Sequence, residues 1–218
     1  MSAKNIIKSL NLFSSLNEVQ IEQLSSISTI DSYDKNYILH YEKKQSSKLL
    51  FLINGLAKAY KIDKYNNEIF LHYVHTNTLL SDISTIHNEN LSSFSNIEIM
   101  QTSKILSIDY HLFKEYFLNK NILCLEFMNE IILKTEQLQG LINREFLFDS
   151  IAKVAMMIYA DLDMFNNLKR HDISLILHIQ PATLSRVLNR LKRNNIIDII
   201  HGKVIVLDFV ALESIYKE

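Results

Sequence analysis

The sequence predicts an α+β chain in three parts: an N-terminal antiparallel β-sandwich or barrel with short leading helices (residues 1–112), one long helix ending in a hinge (113–148), and a C-terminal winged helix-turn-helix (149–218). Three observations predict it. Short apolar runs rich in Ile, Leu, Phe and Tyr, divided by polar clusters, fill Ser32 to Ile108 and read as strands. From Phe113 to Phe148 the apolar residues recur at alternating spacings of three and four, the period of a helix with a buried seam. Arg170 to Asn194 then holds a short amphipathic segment, a turn and a longer amphipathic segment.

With 218 residues, 48% hydrophobic and 22% charged, the chain can bury one large core or two modest ones. The net charge of −1 excludes a general polyanion binder, so any contact with nucleic acid must be local. Cys124 is the only cysteine, which excludes an intrachain disulfide framework, removes the ligand set of an iron–sulfur cluster and fits a reducing cytoplasm. No apolar run approaches the roughly 20 residues of a membrane span, and Met1 to Asn11 lacks the basic-then-apolar order of a signal peptide. The expectation is a cytoplasmic protein with no membrane partner.

At the N-terminus, Ile6, Ile7, Leu10 and Leu12-Phe13 give a short amphipathic start, and Asn17 is the expected N-cap of a helix over Val19, Ile21 and Leu24. The strand runs are Tyr37 to Leu39, Leu49 to Ile53, Ala57 to Ile62, Ile69 to Val74, Ile97 to Met100 and Ile105 to Ile108. Turns at Asp63 to Asn67 and Asn88 to Asn90 carry asparagine, which tolerates left-handed backbone. His40, His72, His75, His87 and His111 fall in this region. His72 and His75, three apart on a strand, point to opposite faces and do not form a metal pair.

In the long helix Ile122, Leu125, Met128, Ile132, Thr135 and Ile142 make one stripe, and Ile131, Leu138 and Leu141 an adjoining one. Two stripes suit a helix with its own barrel on one side and a twin helix on the other, which makes a parallel homodimer the expected partner. Glu126, Glu130, Glu136 and Glu145 on the opposite face would be repelled by an anionic membrane surface. The hinge is placed at Phe146 to Asp149, and Ile151, Val154, Ala155 and Ile158 open the next helix.

Ile173, Ile176 and Leu177 mark the first helix of the helix-turn-helix, His178 to Gln180 its turn, and Pro181 the first position of the second helix. Leu184, Val187, Leu188 and Leu191 form that helix's buried stripe, while Ala182, Ser185, Arg186 and Asn189 form a polar stripe facing outward. Between Lys169 and Asn194 six Lys and Arg residues stand against Asp172 alone, so positive charge collects where phosphates would be met. Lys169, Arg170, Thr183 and Arg190 are the expected phosphate contacts there. Ile196 to Ile200 and Val204 to Leu207 read as a two-stranded wing around His201-Gly202-Lys203, with Lys203 at a phosphate.

The stretch Gln180 to Leu191 resembles the recognition motif of the Crp/Fnr superfamily of transcription regulators, and Ser185-Arg186 fits the Fnr-like form of that signature. The resemblance spans nearly the whole chain. NLFSSLNEVQIEQLSSI is similar to the family's opening segment, FLINGLAKAYKID to its strand-glycine-strand hairpin with Gly55 at positive φ, and Ile151-Ala152 to the first helix of its DNA-binding domain. Other family glycines are replaced, at Lys43-Lys44, Asn66-Asn67, Thr76-Asn77 and Ser81, so asparagine and lysine must make those turns. The resemblance implies a cyclic-nucleotide-binding-like β-barrel of jelly-roll type, a dimer helix and DNA bases read by Arg186, which would donate two hydrogen bonds to guanine. Ser185 would add a weaker contact and Ala182, where the family has glutamate, at most a thymine methyl contact.

The sensor departs from the family. Cyclic-nucleotide members carry a glycine-glutamate-leucine step and, about ten residues on, an arginine-serine pair that clamps the cyclic phosphate and ribose. This chain has Ser81-Asp82-Ile83 and Leu91 to Ser95, with no Arg or Lys between Lys64 and Lys104. Tight cyclic AMP or cyclic GMP binding is therefore not expected. His87 lies in the loop region where some haem-binding members place an axial ligand, which makes haem the cofactor of an alternative reading. The expected function is a homodimeric, sequence-specific regulator on double-stranded DNA with an inverted-repeat operator, set by an effector in the barrel and touching RNA polymerase if it activates. The alternatives are a haem-dependent NO or CO sensor of the same fold and a ligand-binding protein without DNA readout. No Ser/His/Asp, metal or phosphate-loop constellation appears at usable spacing, so catalysis is not expected.

Overall fold

The computed structural model describes residues 3–83 and 90–217, apart from the side chains of residues 144 and 145. His87, the expected haem ligand, lies outside the described residues. The chain divides into two compact units, residues 1–136 and 137–218.

The first unit opens with α1 (Ala3–Ser9) and α2 (Glu18–Ser26). Asn17 caps α2 as expected: its Oδ1 accepts the Gln20 N–H at 3.0 Å, and the Gln20 Oε1 accepts the Asn17 N–H at 2.9 Å. Among the described residues eight strands follow: β1 (Ser28–Tyr33), β2 (Ile38–His40), β3 (Gln45–Ser46), β4 (Lys48–Ile62), β5 (Glu68–Val74), β6 (Thr78–Leu79), β7 (Leu91–Ser92) and β8 (Asn96–Asp109). The main sheet runs β1-β8-β4-β5, with β2 added to β8 and β6 to β4; β3 and β7 form a separate antiparallel ribbon.

Two pairs of expected strands are each one strand. Leu49 to Ile53 and Ala57 to Ile62 join as β4, and Ile97 to Met100 and Ile105 to Ile108 join as β8. The polar interruptions that divide the runs face each other, Asn54 against Lys104 and Leu56 against Gln101, with register shifts between Leu52 and Ala57. The chain does not turn back at Gly55; it bulges there, which bends the sheet without ending it. Gly55 has φ +111, and a Cβ on it would lie 2.0 Å from the Ser103 Oγ. The missing family glycines are replaced as anticipated, with Lys43, Asn66 and Asn77 all at positive φ.

Apolar side chains fill the barrel in two clusters. At one end Phe13 meets Phe51 and Phe113 edge-on, with Phe117 and Phe127 beside Phe113. The other is aliphatic, around Leu52, Ala57, Val74, Ile97 and Ile105.

The long helix is shorter than its apolar period suggests. After α3 (Tyr110–Tyr116) comes a break with Asn121 at φ 58 and Leu123 at φ 64, and only then α4 (Cys124–Ile142). The period runs on through the break because Phe117 and Leu123 are buried in the same aromatic cluster as Phe113 and Phe127. No described helix is long and apolar enough to cross a membrane.

The second unit contains α5 (Ser150–Ala160), α6 (Leu162–Asn167), α7 (Arg170–Ile176), α8 (Pro181–Arg193), the hairpin β9 (Ile197–Ile200) and β10 (Lys203–Val206), and α9 (Phe209–Ser214). Aspartates cap three of these helices: Asp149 for α5, Asp161 for α6 and Asp208 for α9. The sequence reading has no counterpart of α6. Its core gathers Val154, Ile158, Phe165, Ile173, Leu184, Leu188, Leu191, Ile197, Val204 and Leu212.

Candidate nucleic-acid interface

The turn between α7 and α8 is built without glycine. His178 takes φ 52. The Ile179 N–H reaches back to the Ser174 carbonyl at 3.0 Å and the His178 N–H to the Leu175 carbonyl at 3.2 Å. That pair of bonds is a Schellman motif, which satisfies the last carbonyls of α7 and sends the chain sharply away. Pro181 then starts α8 at the position where a missing N–H costs nothing.

Leu184, Val187, Leu188 and Leu191 are buried, as the spacing predicts, each contributing roughly 1.5–3 kcal/mol of burial. Their packing fixes the rotation of α8 about its axis and so fixes what it shows to solvent. Ala182, Ser185, Arg186 and Asn189 are all exposed, and Thr183 is partly so. The Ser185 Oγ donates to the Pro181 carbonyl at 3.1 Å, leaving the oxygen lone pairs outward. The Arg186 guanidinium is exposed, and among the described residues no carboxylate pairs with it. With Asn189, Arg190, Lys192 and Arg193 it lines one shallow concavity on the outer face of the helix. Lys192 is turned toward the hairpin, where its Nζ lies 2.6 Å from Asp198 and holds that carboxyl below the usual range.

The β9–β10 hairpin is the wing. Ile200 pairs with Lys203, and His201 and Gly202 between them both have positive φ (50 and 81), as a type I′ turn requires. The tip is thus His201-Gly202, with exposed Lys203 the first residue of the return strand. Lys169 is exposed at the foot of α7.

Besides Lys192, Asn166 and Arg170 tie the wing to the helices. The Asn166 Nδ2 donates to the Val204 carbonyl at 2.9 Å, and its Oδ1 accepts the Val204 N–H at 2.7 Å. Arg170, expected at a phosphate, directs Nη2 to the Gly202 carbonyl at 3.1 Å, with its guanidinium 5.4 Å over the Phe165 ring. Partial burial lowers the Arg170 pKa. Asn166 escapes the sequence reading entirely: its partner stands 38 residues away, and LDMFNN carries little periodicity to mark a helix.

Along α4, Leu125, Met128, Ile132, Thr135 and Ile142 are exposed and share one side of the helix, while Phe127 is buried. The Lys134 Nζ lies 3.2 Å from the Asp82 Oδ1, and the other oxygen of Asp82 accepts the Phe94 N–H at 2.8 Å. Among the described residues no three His, Cys, Asp or Glu side chains are grouped to hold a metal ion.

A helix-turn-helix with a basic outer face, followed by a clasped two-stranded wing and preceded by a β-barrel and a long helix, defines a class of DNA-binding regulators. Residues 154–215 match the family model described as the Crp-like helix-turn-helix domain. Solved structures agree over most of the chain. FixK2 from Bradyrhizobium japonicum is 15% identical, with 88% of this chain and 98% of that one covered at a TM-score of 0.65. A CooA mutant from Carboxydothermus hydrogenoformans is 16% identical, with 88% and 89% covered at 0.68. A Crp/Fnr-family regulator from Eubacterium rectale is 15% identical, with 96% and 99% covered at 0.66. No curated protein sequence matches. The chain has the fold of the Crp/Fnr regulators and carries a Crp-like helix-turn-helix domain.

Proposed function

We propose that two copies of this chain bind an inverted-repeat operator and regulate transcription from it. The observation that carries the reading is the outer face of α8, where Arg186 stands exposed between Ser185 and Asn189 while the opposite stripe is locked in the core. Arg186 reads guanine through O6 and N7, Asn189 and Ser185 read neighbouring edges, and Ala182 meets a thymine methyl. Lys169, Thr183, Arg190 and Lys203 meet phosphates and set the register of the helix in the groove.

Two-fold symmetry follows from α4. Leu125 is 79% exposed, Met128 56%, Ile132 50% and Ile142 55%, an apolar stripe that a single chain leaves in water. A second copy of the helix covers it, with Thr135 at the small position of the seam. Two recognition helices then enter successive major grooves about 34 Å apart.

Control belongs to the barrel. Asp82 brings a carboxylate to the segment where the family clamps a cyclic phosphate, and Lys134 is already paired with it. No Arg or Lys stands between Lys64 and Lys104, so a cyclic phosphate there would lack a cation, and the effector is of another chemistry.

Selection of bound DNA from a random pool tests the proposal. It expects enrichment of an inverted repeat with one half-site per chain, lost for Arg186→Ala. Enrichment of a non-palindromic site, or of nothing, contradicts it.

A further inference from the structure

Besides the Lys192–Asp198 ion pair on β9, the wing is clasped to the helices at two points around Lys203. At the first, Asn166 pairs with both backbone groups of Val204, much as a neighbouring strand would. At the second, Arg170 bonds the Gly202 carbonyl at the turn, while Phe165 supports its guanidinium from below. These three bonds hold both sides of Lys203, the cation that the wing offers to DNA. A two-stranded hairpin has little stability of its own, so its position relative to α8 depends on what anchors it.

We infer that Asn166 and Arg170 are positioning residues that aim Lys203 at a DNA phosphate. The inference rests on the proposed DNA-binding function. Arg170 lies among basic residues and resembles a phosphate ligand, yet its forked donor is directed at the turn of the wing. Asn166 carries no charge and lies on α6, away from the exposed stripe of α8. Under this assignment the clasp determines an electrostatic contact made by a third residue. The two roles leave different signatures in the salt dependence of binding, because each phosphate contact contributes about 0.9 to the slope of log K against log salt.

The test uses the full chain, the duplex enriched by selection, and affinity measured across a salt series. Four proteins are compared: wild type, Lys203→Ala, Asn166→Ala, which removes no charge, and Arg170→Lys, which keeps the charge but cannot keep the supported fork. Positioning predicts that all three variants lose the same slope, about 0.9 for each wing. It also predicts that Asn166→Ala/Lys203→Ala binds no more weakly than Lys203→Ala alone. Circular dichroism melts establish which variants fold, and if Asn166→Ala does not, Arg170→Lys decides.

Unchanged slopes in Asn166→Ala and Arg170→Lys, with a reduced slope in Lys203→Ala, would overturn the inference and return Arg170 to a plain phosphate or structural role. An unchanged slope in Lys203→Ala overturns it as well. Failure of the parent reading looks different: wild type then enriches no sequence and Arg186→Ala changes nothing.

Discussion

Lys134 in α4 and Asp82 at the end of the barrel form an ion pair, Nζ to Oδ1 at 3.2 Å, with each side chain about three-quarters buried. The contact joins the long helix to the segment that follows β6. It also places charge near His40, whose pKa burial pushes below the ordinary value; Asp82 opposes that shift and Lys134 reinforces it.

Removing either partner should leave the other partly unpaired. Lys134→Ala is expected to cost about 1–2 kcal/mol, and Asp82→Ala/Lys134→Ala less than the sum of the single changes. Urea denaturation of the four proteins in the cycle measures the coupling, expected near 1 kcal/mol. Additive losses would mean that the pair contributes nothing.

His40 gives the fold a pH dependence of known sign. Its Nε2 is buried and has no hydrogen-bond partner among the described residues, and its pKa in the folded chain lies below the usual 6.5. The unfolded chain therefore binds the proton first as pH falls. The contribution of this residue to stability is complete above about pH 6.5 and declines below it, at up to about 1.4 kcal/mol per pH unit. His40→Gln should flatten the stability profile in that window when thermal melts are run from pH 7.5 to 5. An unchanged slope would assign the acid sensitivity to other groups.

Gly55→Ala should be among the most damaging single changes in the barrel. The new methyl meets Ser103, which is itself buried, and φ +111 strains any L side chain. A loss of about 3 kcal/mol or more is expected in chemical denaturation, with part recovered in Gly55→Ala/Ser103→Gly.

Ile132→Glu sets two carboxylates face to face in the proposed seam of α4. In one chain the site is half exposed, so the fold should survive the change. Sedimentation is expected to show a dimer for wild type and a monomer for Ile132→Glu, with operator affinity falling at least tenfold. An unchanged dimer would move the interface elsewhere.

Much of the DNA-binding unit was legible in the sequence because its packing is local. The stripe Leu184, Val187, Leu188 and Leu191 fixes the face of α8, Pro181 fixes its start, and His201-Gly202 marks the turn of the wing. The barrel was legible as strands but not as connections. Asn54-Gly55 reads as a turn, and nothing short-range reveals that the Gln101 to Lys104 break stands opposite it. The start of α4 was hidden for a related reason: Leu123 adopts a left-handed conformation that leucine does not advertise, held by the buried cluster around it. Asn166–Val204 and Asp82–Lys134 join residues 38 and 52 apart, and pairing at that range is set by tertiary structure alone.

The guanidinium of Arg186 as a reader of guanine is the centre of the account, and one substituted base tests it. Replacing the half-site guanine with 7-deazaguanine removes only the N7 acceptor. Affinity for the two duplexes is measured with wild type and with Arg186→Ala. The account predicts that the change costs wild type about 1–3 kcal/mol and costs Arg186→Ala nothing. An equal loss in both proteins would contradict it.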